Sequence, residues 1–152
     1  MTTDEGLPWF SYATTTDDNT ILLKVKAHNV LLTTAGGDRF DYDDVILVKK
    51  EWYNFCFTWK SGESDFYING VRIKTTGTAP AGRIILGGTL VLGQESDSIG
   101  GGFHINDLFG GEMYNINVFK KKLSLGEVSG MYYGGRCAEV ERSLSYDIVL
   151  SW

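Results

Sequence analysis

Trp52-Tyr53-Asn54-Phe55-Cys56-Phe57-Thr58-Trp59 alternates along its whole length. Successive side chains of an extended chain point to opposite faces. Tyr53, Phe55, Phe57 and Trp59 therefore share one face, and Asn54, Cys56 and Thr58 share the other. A strand with a large apolar face opposite a smaller mixed one belongs in a sandwich of two packed sheets. Just downstream, Asp65-Phe66-Tyr67-Ile68 and Val71-Arg72-Ile73 flank Asn69-Gly70. Asn-Gly between apolar runs is the strongest short-range signal for a β-hairpin.

Working outward, period-two patterning predicts further strands at 8–14, 20–26, 84–86, 89–94, 112–119 and 144–152, with 29–34 and 44–49 as further apolar runs. One helix is predicted near the C-terminus. Ser124 and Glu127 form a capping box, Leu125, Val128 and Met131 or Tyr132 fall on one face, and Gly134-Gly135 ends it. A looser stretch, 75–82, holds Pro80, and 95–111 reads as a long loop. With 152 residues, 19 glycines, only two prolines and no repeat or linker, the expectation is one domain over 1–152. It is an all-β, two-sheet antiparallel sandwich with one short helix.

Hydrophobic residues at 43% and charged residues at 22% support a real core rather than disorder. The net charge of −5 argues against a general nucleic-acid or anionic-membrane binder. No stretch approaches the roughly 20 apolar residues of a membrane span, so no direct membrane insertion is expected. The start, Met1-Thr2-Thr3-Asp4-Glu5, is polar and does not read as a secretory signal, so a secreted form would begin after one. Two cysteines, Cys56 and Cys137, are too few to decide the redox compartment.

The acidic loops carry the chemistry. Asp17, Asp18 and Asn19 lie in one strand connection, and Glu95 and Asp97 flank Ser96 in another. Alternate carboxylates with a carbonyl between them offer hard oxygens to one point. Calcium needs six to eight such oxygens, which two loops converging at one end of a sandwich can supply. The plain alternative is solvated turn residues. His28 and His104 are the only histidines, so a zinc cluster is not expected. No Gly-x-Ser-x-Gly elbow supports a nucleophilic serine. A glycan-hydrolysing sandwich would need paired carboxylates, and Glu112 stands alone at its strand's start. Lys120-Lys121-Lys122 reads as a solvated turn, and Gly100-Gly101-Gly102 lacks the Lys-Ser/Thr and helix of a phosphate loop. No catalytic residue is assigned.

Four segments resemble the pentraxin family. Asn54-Phe55-Cys56-Phe57-Thr58-Trp59 resembles the signature His-x-Cys-x-Ser/Thr-Trp, with Asn in place of His. The run from Leu92-Gly93-Gln94-Glu95 through Ser96-Asp97-Ser98-Ile99 to Gly102-Phe103 is similar to the family's calcium loop. Phe10-Ser11-Tyr12-Ala13-Thr14 with Asp18-Asn19 is similar to its first calcium segment, and Leu123-Ser124-Leu125-Gly126-Glu127-Val128 to its helix. The resemblance runs from about Leu7 to Trp152.

The resemblance implies a concanavalin-like jelly roll that catalyses nothing and recognises ligands outside the cell, secreted or on a surface protein such as an adhesion receptor. It implies a first Ca2+ held by Asp18, Asn19, Glu95, the carbonyl of Ser96 and Asp97. At a second Ca2+, His104 and Asp107 stand where the family has Glu and Gln, so that site is expected to be weak or absent, with Asp107 a partial substitute. Lys24 occupies a ligand-pocket position that is aromatic in the family, where an ammonium disfavours choline and favours an anion. Expected partners are an anionic or glycan ligand, or a protein, with homo-oligomers in view. A structural or oligomerisation module that binds no metal is the alternative. Cys56 and Cys137 are disulfide candidates whose family partners would precede Leu7, so the chain is expected to lack first strands of the domain. Missing strands would leave open sheet edges.

Overall fold

The computed structural model describes residues 6–26, 30–34, 38–42, 45–60, 63–73, 85, 87–134 and 148–151. Among the described residues, ten strands and one helix follow in order: β1 Leu7–Ala13, β2 Ile21–Val25, β3 Val30–Thr34, β4 Asp38–Tyr42, β5 Phe55–Lys60, β6 Glu63–Ile68, β7 Val71–Ile73, β8 Thr89–Leu92, β9 Asn117–Phe119, α1 Leu125–Tyr133 and β10 Ile148–Ser151. All pairings are antiparallel. A five-stranded sheet has the order β4-β3-β2-β1-β8, a second sheet runs β5-β6-β7, and β9 and β10 form a short ribbon.

The two larger sheets meet across an aromatic core. Leu23, Val45, Phe66 and Ile68 are buried there, with Trp9, Phe10, Tyr53, Phe55, Phe57 and Trp59 packed around them. Trp9 stacks on Phe55 with ring centroids 5.7 Å apart, within the range where offset aromatic pairs attract. The register between β1 and β2 shifts between Pro8 and Phe10, which marks a bulge at Trp9.

The opposite face of β5 meets the helix. Cys56 packs with Tyr67, Leu123, Val128, Phe119 and Met131 in a second cluster. The capping box is formed on both sides, by Glu127 N–H donating to Ser124 Oγ and by Ser124 N–H donating to Glu127 Oε2. Leu123 before the cap and Val128 in the first turns are both buried, an arrangement that fixes the chain's entry into the helix.

Several expectations are corrected. The apolar run at 44–49 forms no strand over its described residues 45–48; Val45 enters the core from a loop, and a strand not expected there lies earlier as β4. Its sequence, Asp-Arg-Phe-Asp-Tyr, is too polar to signal one. Strand β9 covers only the end of 112–119. Leu125 is 53% exposed, so Leu123 rather than Leu125 anchors the helix. His28, 75–82 with Pro80, Gly135 and Cys137 lie outside the described residues.

Candidate functional site

The first loop, 14–20, leaves β1 at Ala13 and is braced through Asp17. The Asp17 carbonyl accepts from Thr14 N–H at 2.9 Å and from the Thr20 hydroxyl at 2.7 Å. Its carboxylate Oδ1 accepts from Asn19 N–H at 3.1 Å, the turn that Asp forms two residues ahead of itself. Asp17 therefore shapes the loop for Asp18 and Asn19. The Oδ1 of Asn19 is buried and has no hydrogen-bond partner among the described residues. Buried polar groups are nearly always satisfied, so this is an oxygen that a cation would suit.

The second loop, 93–111, folds back over the five-stranded sheet. Gly93 N–H donates to the Trp9 carbonyl at 3.0 Å, and Phe109 N–H returns to the Gly93 carbonyl at 2.9 Å. Ser96 is fully buried, and its N–H donates to Ser11 Oγ at 3.2 Å. The Ser96 hydroxyl closes the turn by donating to the carbonyls of Gly101, at 3.1 Å, and Ser98. Gly102 has φ +73°, and a β-carbon there would come within 2.8 Å of the β-carbon of Asp97. A side chain at 102 is excluded so that Asp97 can keep its place.

Register sets the tip of the second loop near the start of the first. Ala13 pairs with Thr89 across β1 and β8. Gly100, at the tip of the second loop, lies beside Thr89, with its ideal β-carbon 3.7 Å from Thr89 Cγ2. The first loop begins at Ala13. The tip of the second loop therefore returns to the end of the sheet where the first loop begins, whereas Glu95 is held at Lys24, which pairs with Pro8 toward the other end of β1.

Two basic side chains stand at the carboxylates. Lys24 of β2 is buried, and its Nζ pairs with Glu95 Oε2. His104 Nε2 lies 3.3 Å from Asp97 Oδ2. Asp107 contributes through its backbone: its carbonyl accepts from Glu95 N–H at 3.4 Å, and its N–H donates to the His104 carbonyl at 3.0 Å. Neither the Lys24 pairing nor the Ser11 contact is legible in the sequence, since both join distant segments.

The fold and four motifs in order lead to the comparisons with known proteins. The family model described as Pentaxin family matches residues 2–152. The chain belongs to the pentraxin family. It is 29% identical to C-reactive protein 1.1 of Limulus polyphemus over 96% of this chain. It is 32% identical to human neuronal pentraxin-1 over 81% of this chain, and 31% identical to human pentraxin-4 over 82%. The crystal structure of a native heptameric SAP-like pentraxin from Limulus polyphemus superposes with a TM-score of 0.71 at 29% identity, covering 83% of this chain and 62% of that one. This pentraxin chain spans 62% of the length of the C-reactive protein and 29% of that of neuronal pentraxin-1.

The donor chemistry of this pentraxin suits calcium. Asp18, Asn19, Glu95, the Ser96 carbonyl and Asp97 all offer hard oxygen donors, and the Asn19 oxygen is unpartnered among the described residues. Among the described residues, however, no three His, Cys, Asp or Glu side chains are gathered as a metal-holding group. The Lys24 ammonium at Glu95 and the His104 imidazole beside Asp97 are part of the same geometry. No described helix is long and apolar enough to cross a membrane.

Proposed function

We propose that this pentraxin chain is a calcium-assisted recognition module acting outside the cell. Asp18, Asn19, Glu95, the carbonyl of Ser96 and Asp97 hold Ca2+, and Asp107 is an auxiliary oxygen beside them. The bound ion presents an open coordination position to a phosphate, carboxylate or glycan oxygen, or to an acidic side chain of a protein partner. The module carries out no covalent chemistry. The observation that carries this reading is the return of the 93–111 loop onto the sheet through Ser96 and Ser11, with its tip at Gly100 beside Thr89, which pairs with Ala13 where the first loop begins. The heptamer named for the Limulus relative supports homo-oligomers as the working assembly.

A ligand of the native state must stabilise it. At a hundredfold excess over its dissociation constant the gain is about 2.7 kcal/mol. Thermal melts with and without millimolar calcium, together with calorimetric titration, test the reading. The expected result is a calcium-dependent rise in Tm and heat of binding, both lost in Asp97→Asn. No shift and no heat would leave the rival: a structural or oligomerisation module that binds no metal. The Lys24–Glu95 pair is the observation that favours that rival, because it already neutralises one carboxylate of the set.

A further inference from the structure

Lys24 is unusual for its place. It lies on β2, which is flanked by β1 and β3, where it pairs with Pro8 on one side and Leu31 on the other. It is only 8% exposed. Lysine is almost never buried to this degree unless it is paired, and its partner is Glu95, also largely covered. The next loop residue, Ser96, is fastened to Ser11 on β1. Ser11 pairs with Leu22, so Ser11, Leu22 and Lys24 share the sheet face away from the aromatic core. Two consecutive loop residues are thus fastened to neighbouring strands of one face, and one of the fastenings is ionic.

We propose that Lys24 is a built-in cation for Glu95: it holds the 93–111 loop on the sheet and competes with calcium for that carboxylate. The tether stands on the geometry alone, while the competition rests on the calcium reading above. A carboxylate this far from water needs a counter-charge. The Lys24 ammonium supplies one at a fixed position. An incoming Ca2+ either displaces the ammonium, leaving it buried without a partner, or shares Glu95 with it against like-charge repulsion. Both routes weaken calcium relative to an all-oxygen site. The same tether keeps the loop in place when no metal is bound.

The test compares the whole chain with Lys24→Met, Lys24→Arg and Glu95→Gln. One readout is the rate of limited proteolysis within 93–111 in EDTA, and the other is calorimetric titration with calcium chloride. Wild type and Lys24→Arg are expected to resist cleavage in EDTA, whereas Lys24→Met and Glu95→Gln are cut roughly tenfold faster or more. Lys24→Met leaves Glu95 in want of a cation and is expected to bind calcium roughly ten- to hundredfold more tightly than wild type. Glu95→Gln is expected to gain nothing. Cleavage of Lys24→Met at the wild-type rate would overturn the tether. Calcium affinity in Lys24→Met no higher than in wild type would overturn the competition. If neither protein binds calcium while Lys24→Met is cut faster, the calcium reading and the competition both fall and the tether stands. Lys24→Gln makes the same comparison if Lys24→Met does not melt cooperatively.

Discussion

Ser11 Oγ accepts a hydrogen bond from the backbone N–H of Ser96 at 3.2 Å, and both residues are fully buried. The bond ties the early part of the 93–111 loop to β1. Removing the acceptor leaves a backbone donor in a place water does not reach. Ser11→Ala is therefore expected to cost about 1–3 kcal/mol. Urea denaturation with an unchanged m-value checks this. A loss within experimental error would mean that the loop is held by other contacts.

Gly102→Ala tests whether the loop's shape serves Asp97. The left-handed backbone costs a side-chain-bearing residue about 1–2 kcal/mol. The added methyl also meets the Asp97 β-carbon at 2.8 Å. The expected outcome is a modest fall in stability together with a larger fall in calcium affinity, read by denaturation and calorimetry on the same sample. An unchanged affinity would detach Asp97 from the site.

The helix cap predicts a pH dependence. Glu127 is held at about 2, below its ordinary 4.5, first by the Lys121 ammonium and then by the Ser124 backbone and hydroxyl. The folded state thus binds this proton less tightly than the unfolded chain. The stabilisation is complete above the ordinary value of 4.5 and disappears as the pH falls from there toward 2. The stability gap between wild type and Glu127→Gln should be flat at neutral pH, narrow in acid and close at the lower limit. Ser124→Ala should cost about 1 kcal/mol at neutral pH. A gap that persists in strong acid would refute the assignment.

Among the described residues Cys56 has no disulfide partner; its thiol packs against Tyr67, Leu123 and Val128, and burial pushes its pKa up to about 12. At pH 8 its reactive thiolate is roughly a thousand times scarcer than that of an ordinary cysteine. Iodoacetamide should leave the Cys56 peptide unlabelled in the native protein and label it fully in urea, as mass mapping would show. Rapid native labelling would mean that the helix does not cover this strand.

The aromatic strand was readable because its signal is local. Tyr53, Phe55, Phe57 and Trp59 pack into one core and Cys56 into the other, as alternation requires. The Asn69-Gly70 hairpin and the Ser124–Glu127 cap were equally plain, since each depends on residues within a few positions of one another. The strand missed at 38–42 has a polar pattern, and the apolar run at 44–49 puts Val45 into the core from a loop. Hydrophobicity marks burial, and burial does not require a strand.

Residue type and spacing alone determined the β architecture, the helix start and which loops carry oxygens, because turn chemistry and alternation act over a few residues. Tertiary structure decided what those oxygens meet. Antiparallel register placed Thr89 beside Ala13, and Gly100 of the second loop lies against that Thr89. It also set Lys24 against Glu95 and Ser11 against Ser96. An ion pair and a buried hydrogen bond need approach within a few ångströms, and only the folding of one segment over another delivers that between residues so far apart along the chain.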